Sequence, residues 1–156
     1  MIDNRQIKDK VKSAIDNLLQ KDLFLLQEKV HERSVSHKLA EYLQPLFQDV
    51  NVDCEYNRKG LASKKLDGIE ECNERKKNKM VLPDIVIHER NSDNNILVIE
   101  IKTVLGDFAC DFRKLELFTD QFGEYRYQLG IFIRFNKGNY PELKYFQNGR
   151  EIKFKD

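Results

Sequence analysis

The sequence predicts an α/β (α+β) fold with a mixed sheet, and three patterns carry that expectation. Apolar residues recur at helical spacing twice before any strand signal appears. Two consecutive runs, Leu82 to His88 and Ile96 to Lys102, are apolar on both faces, as strands covered on both sides are. A run from Tyr125 to Phe135 then alternates, the period of a strand with one buried face.

In chain order, Ile7, Val11, Ile15, Leu18 and Leu19 form one face of a first helix over about Asp3 to Gln20. Leu23 to Leu26 is a short apolar patch of no clear type. Val35, Leu39, Leu43 and Leu46 stripe a second helix from His31 to Phe47, interrupted late by Pro45. Val50 to Tyr56 alternates as a strand, with Val50, Val52 and Cys54 on one side. Asn57 to Lys79 is long, polar and irregular, a kind of segment that is usually functional or mobile. After the two apolar runs, Asp107 suits the N-cap of a helix whose stripe is Phe108, Phe112, Leu115, Phe118 and Phe122. Tyr125, Tyr127, Leu129, Ile131, Ile133 and Phe135 then share one strand face, and Asn148-Gly149 centres a hairpin over Lys144 to Lys155. The order is helix, helix, strand, long loop, strand, strand, helix, strand, hairpin, read as helices around an antiparallel meander.

At 156 residues the chain is a single domain, 1–156, large enough to bury a core without staples. Its 40% hydrophobic and 34% charged residues describe a soluble globular protein. A net charge of +1 excludes any global electrostatic argument for nucleic acid, so such an argument must be local. Cys54, Cys72 and Cys110 include no C-x-x-C pair, which argues against a zinc site or disulfide framework and for reduced thiols in a cytoplasmic protein. The first residues are polar and carry acids, unlike a signal or transit peptide. No apolar run approaches membrane-spanning length, so no membrane partner is expected.

Charges stand at the ends of the two central runs: Asp84 opens the first, and Glu100 and Lys102 close the second. Charges there destabilise unless something compensates them. The connecting segment, 89–95, is rich in turn formers, and Asp84 and Glu100 each lie eight residues from its middle, Ser92. A regular hairpin therefore sets them opposite each other on one face, about 4.5–5.5 Å apart at Cα; a one-residue slip would undo this. Alternation places Lys102 on the face of Glu100, and Ile99 and Ile101 on the other. Facing carboxylates repel, and a divalent cation between them, or in part Lys102, relieves that. The plainer alternative is that each charge marks a strand end in a surface ion pair.

A hard cation such as Mg²⁺ takes several oxygen ligands and keeps waters, so a third acid would serve it. Glu32 lies three residues before Val35 and seven before Leu39, which extends the apolar stripe inward. The same position is also that of a first-turn acid favoured by the helix dipole, and the spacing leaves both readings open. Glu41 falls about 200° around the helix from Leu39 and faces solvent.

Other features weigh less. Asn57 to Lys79 holds eight basic and four acidic residues, either a phosphate-contacting loop or a merely solvated one. His31, His37 and His88 share no metal-ligand spacing and read as structural. Paired carboxylates also serve glycosidases, but the chain has no Trp, and a lysine beside the acids suits phosphate better.

Pro83-Asp84, fifteen intervening residues and Glu100-Ile101-Lys102 resemble the PD-(D/E)xK, or restriction-endonuclease-like, nuclease superfamily. The resemblance spans about residues 28–135. It implies that family's αβββαβ core, with an extra N-terminal helix and a C-terminal β-hairpin outside it. It further implies Mg²⁺ or Mn²⁺ held by Asp84, Glu100 and the backbone carbonyl of Ile101, with Lys102 orienting the attacking water and Glu32 as the helical acid. Lys114, in Asp111-Phe112-Arg113-Lys114-Leu115, and Tyr127, in Tyr127-Gln128-Leu129-Gly130, resemble auxiliary positions of some members. The activity implied is metal-dependent phosphodiester hydrolysis of nucleic acid, DNA ahead of RNA. The alternative is a catalytically inactive module of the same fold that binds nucleic acid or a protein. A homodimer or a partner subunit is left open.

Overall fold

The computed structural model describes residues 1–28, 31–56, 58–59, 62–63, 82–137 and 139–155. Helix α1 (Asn4–Lys21) starts from a capping box in which the Asp3 side chain accepts from the Gln6 N–H and Gln6 reaches back to the Asp3 N–H. The Leu23 to Leu26 patch contributes a single helical turn, α2 (Phe24–Gln27). Helix α3 (Glu32–Leu43) gives way to a 3₁₀ turn over Gln44–Leu46. The expected helix to Phe47 therefore stops early, because Pro45 has no N–H to continue the α ladder.

Strand β1 (Asn51–Cys54) ends where Glu55 takes a positive φ of 49°. Of the long polar stretch only β2 (Arg58–Lys59) and β3 (Ala62–Ser63) are described, paired antiparallel; the rest, and the charge reading placed on it, lies outside the described residues. Strands β4 (Ile85–His88) and β5 (Asn95–Lys102) follow, then α4 (Ala109–Thr119), β6 (Leu129–Asn136), β7 (Asn139–Gln147) and β8 (Arg150–Ile152). Six strands form one sheet in the order β1-β4-β5-β6-β7-β8. All neighbours are antiparallel except β5 and β6, which run parallel. The antiparallel meander is thus corrected at one joint: α4 carries the chain across the sheet, and such a crossover returns the next strand parallel.

The sheet is covered on both faces. On one, Ile7, Val11, Ile15 and Leu18 of α1 and Val35, Leu39 and Leu43 of α3 pack on Ile85, Ile87, Leu97, Ile99, Ile101, Ile131 and Ile133. On the other, Leu115 and Phe118 of α4 pack on Val86, Val98, Phe132 and Phe146. This is why β4 and β5 read as apolar on both sides. Helix α1, an addition to the αβββαβ core that the resemblance implies, packs on the sheet beside α3 and supplies a large part of one layer.

Two aromatic expectations are corrected. Phe122 is fully exposed, since α4 ends at Thr119 before reaching it. Tyr125 and Tyr127 precede β6 rather than belonging to it, and they pack with Phe118 on the face opposite Leu129 and Ile131. Arg126 between them has φ 50°, which breaks the extended run. Gly130 lets α4 approach closely: a Cβ there would lie 3.1 Å from Thr119 Cγ2 and 3.3 Å from Leu115 Cδ2. The hairpin around Asn148-Gly149 forms as expected, both residues having positive φ. Among the described residues no helix is long and apolar enough to cross a membrane. Cys54 is free, but Cys110 is disulfide-bonded, which corrects the expectation of reduced thiols there. The cytoplasmic expectation loses that support.

Candidate active site

The hairpin register expected from the symmetry about Ser92 is present: Ile85 pairs Ile99, Val86 pairs Val98 and Ile87 pairs Leu97, with a shift only between Ile87 and His88. Continuing that register sets Asp84, just ahead of β4, opposite Glu100 on the face that α4 covers. Its carbonyl accepts from the Glu55 N–H at 3.1 Å, which fixes the backbone. Its side chain accepts from the Ile101 N–H at 2.7 Å, where β4 has not yet begun.

Glu100 is 2% exposed. Its Oε2 accepts from Lys114 Nζ at 2.9 Å, while Oε1 is buried with no hydrogen-bond partner among the described residues. An unsatisfied buried carboxylate oxygen is costly and asks for an explanation. Burial pushes the Glu100 carboxyl up to about 8, against the pull of Lys114 and with the push of Asp84. Burial also raises Asp84, and the Ile101 N–H, Lys114 and Lys102 offset this only in part; Glu32 adds to the upward push. The two acids are therefore short of positive charge.

Lys102 and Lys114 converge from β5 and α4 on a single oxygen, Asp111 Oδ1, each at 3.5 Å. Burial disfavours the Lys114 ammonium, yet Glu100 and Asp111 hold its pKa above the ordinary lysine value. Glu32 Oε2 accepts from the Thr103 N–H at 3.0 Å and from Thr103 Oγ1 at 3.3 Å, just past the end of β5. Glu32 is in the first turn of α3, and its side chain reaches the strand end that carries Glu100 and Lys102.

The structure thus brings together Asp84, Glu100, Ile101, Lys102, Lys114 and Glu32. Tyr127 goes elsewhere. It stacks edge-on against Phe118, and its charged and aromatic surroundings are Tyr125, Tyr56 and Asp53. Asp111 is the member that sequence reasoning missed. Its signal was available, since Asp111, Leu115 and Phe118 lie at i, i+4 and i+7 and share the inward face.

Among the described residues, no group of three or more His, Cys, Asp or Glu side chains is arranged to hold a metal ion. Comparison of the chain with family models, curated proteins and solved structures finds no match.

Proposed function

We propose that the chain is a divalent-metal-dependent nuclease of the PD-(D/E)xK kind, acting on DNA ahead of RNA. The observation that carries this reading is the buried Glu100 with an orphaned Oε1, facing Asp84 and flanked by Lys102 and Lys114. Two carboxylates raised by burial are what a cation would stabilise. The succession α3, β1, β4, β5, α4, β6, with β1-β4-β5-β6 adjacent in that order, fits an αβββαβ core.

The donor set fits Mg²⁺ or Mn²⁺, because Mg²⁺ is commonly held by one or two carboxylates together with waters and substrate phosphate. Asp84, Glu100 and the Ile101 carbonyl would hold the ion. When bound, such an ion lowers the pKa of a coordinated water and offsets charge on the phosphoryl oxygens. Lys102 supplies fixed positive charge beside the reacting phosphate and orients the water. Lys114 holds Glu100 in place. Glu32, already committed to Thr103, fixes the strand end.

The second reading, an inactive module binding nucleic acid or a protein, draws on a different observation. Both lysines are paired with acids of the site, which leaves neither ammonium free to meet a phosphate without giving up a partner. Plasmid DNA and single-stranded RNA incubated with the protein and Mn²⁺, Mg²⁺ or EDTA separate the two. The nuclease reading expects metal-dependent cleavage that disappears in Asp84→Ala and in Lys102→Ala, with melting temperatures showing both folded. Cleavage persisting in both variants sinks the assignment. Retention of nucleic acid without cleavage by the native chain favours the inactive module.

A further inference from the structure

Among the described residues Glu100 Oε1 has no hydrogen-bond partner, although an ammonium, that of Lys102, sits on the same strand face two residues along. An unpaired buried carboxylate oxygen should draw such a cation onto itself. Lys102 goes instead to Asp111 Oδ1, 3.5 Å away, and it is Lys114 that meets Glu100. Asp111 is itself buried, on the first turn of α4. The helix dipole favours an acid there, but the dipole alone requires neither burial nor two lysines drawn from two elements.

We infer that Asp111 is a positioning residue that holds the Lys102 ammonium off Glu100 and Asp84, keeping their pocket open for a cation. The inference rests on the metal-site reading. It assigns the two lysines different tasks: Lys114 stays with Glu100, and Lys102 is kept in reserve beside it. Removing the Asp111 charge lets Lys102 fall onto Glu100 Oε1 and block the place of the ion.

The test is Mn²⁺ binding by calorimetry, without substrate, on the full chain. Asp111→Asn is expected to weaken Mn²⁺ binding at least about tenfold, the lower end of what one unit charge moved into contact range does. Asp111→Asn combined with Lys102→Met is expected to restore it, because the blocking ammonium is gone. Lys102→Met alone is measured as well: an Asp111→Asn loss as large in the Lys102→Met background as in the native one is what a merely structural or through-space role gives, and that result overturns the inference. Should Asp111→Asn not fold, Asp111→Glu, which keeps the charge that holds Lys102, is expected to bind Mn²⁺ within a few-fold of native, and a loss of about tenfold or more there overturns the inference. A second readout needs no metal: reductive methylation of Lys102, followed by mass spectrometry, is expected to fall in Asp111→Asn as the amine is buried. Unchanged or increased labelling overturns the inference. Native protein that binds no Mn²⁺ sinks the metal-site reading, while the labelling result still decides the role of Asp111.

Discussion

Two carboxylates on the same three strands are treated in opposite ways. Asp53 on β1 pairs with Val86 in mid-strand, its side chain reaches toward the turn end of the β4–β5 hairpin, and both its oxygens are engaged. His88 Nε2 shares a 2.9 Å hydrogen bond with Oδ2, and Arg90 donates to both oxygens, Nε to Oδ2 at 2.9 Å. Burial pulls its pKa up, yet Arg90 and His88 outweigh that and hold it below the usual carboxylate value. Glu100 on β5 is more deeply buried, has one oxygen paired and one orphaned, and is raised to about 8. Burial alone therefore does not distinguish a structural acid from a functional one. The supply of donors does. A fold that completes the bonds of one carboxylate and leaves one open on the other supplies the contrast on which the proposed metal site is built.

The largest expected effect is on chemistry. Glu100→Gln keeps the shape and removes the charge, and it is expected to lower metal-dependent cleavage by at least about 10³-fold. Asp53→Asn, the matching change at the satisfied end, is expected to leave cleavage within a few-fold of native. Comparable losses in the two variants would erase the functional contrast between the ends.

Stability should show the reverse order. Asp53→Ala leaves His88, 3% exposed, without its carboxylate and frees Arg90. Breaking a buried pair in this way destabilises by roughly 2–3 kcal/mol here, below the range for fully buried pairs because Arg90 is half exposed. Urea unfolding of native and variant protein measures it. A change under about 0.5 kcal/mol would mean that the His88–Asp53–Arg90 cluster is ornamental to the fold.

The site was legible in the sequence to the extent that it depended on a symmetric hairpin. Turn formers around Ser92 fixed the middle, period two fixed the faces, and the observed pairs 85–99, 86–98 and 87–97 follow from both. What escaped were features that depend on contacts between elements. Asp111 sits among aromatic residues whose pattern drew the eye to Phe108 and Phe112, and only its convergence with Lys102 from another element gives it meaning. Tyr125 and Tyr127 have the residue type and spacing of a strand, but a left-handed residue between them is a backbone choice that Arg gives no hint of. The parallel joint between β5 and β6 was implicit in the strand–helix–strand order and was overridden by the hairpin signals on either side.

The smallest effect, and the one most specific to the comparison, is in how stability depends on pH. For Glu100 the folded-state pKa is raised from 4.5 to about 8, so between those values the unfolded chain has released a proton that the folded chain retains. Stability then falls as pH rises through that window, because the unfolded state binds fewer protons. Glu100→Gln mimics the protonated side chain and escapes this loss. The variant should match the native protein below about pH 4 and exceed it by about 1.4 kcal/mol near pH 5.5, a gap insensitive to the folded-state value. For Asp53 the sign reverses. Its folded-state pKa is lowered from 3.8, so the native advantage over Asp53→Asn is present above that value and shrinks as pH falls through the lowered one. Denaturant titrations of the three proteins from about pH 3 to 7 give both difference curves. Opposite slopes are the signature of one satisfied and one unsatisfied carboxylate. Parallel curves would mean that Glu100 finds a partner in solution that fills Oε1, and the case for an open ligand position on this strand would go with it.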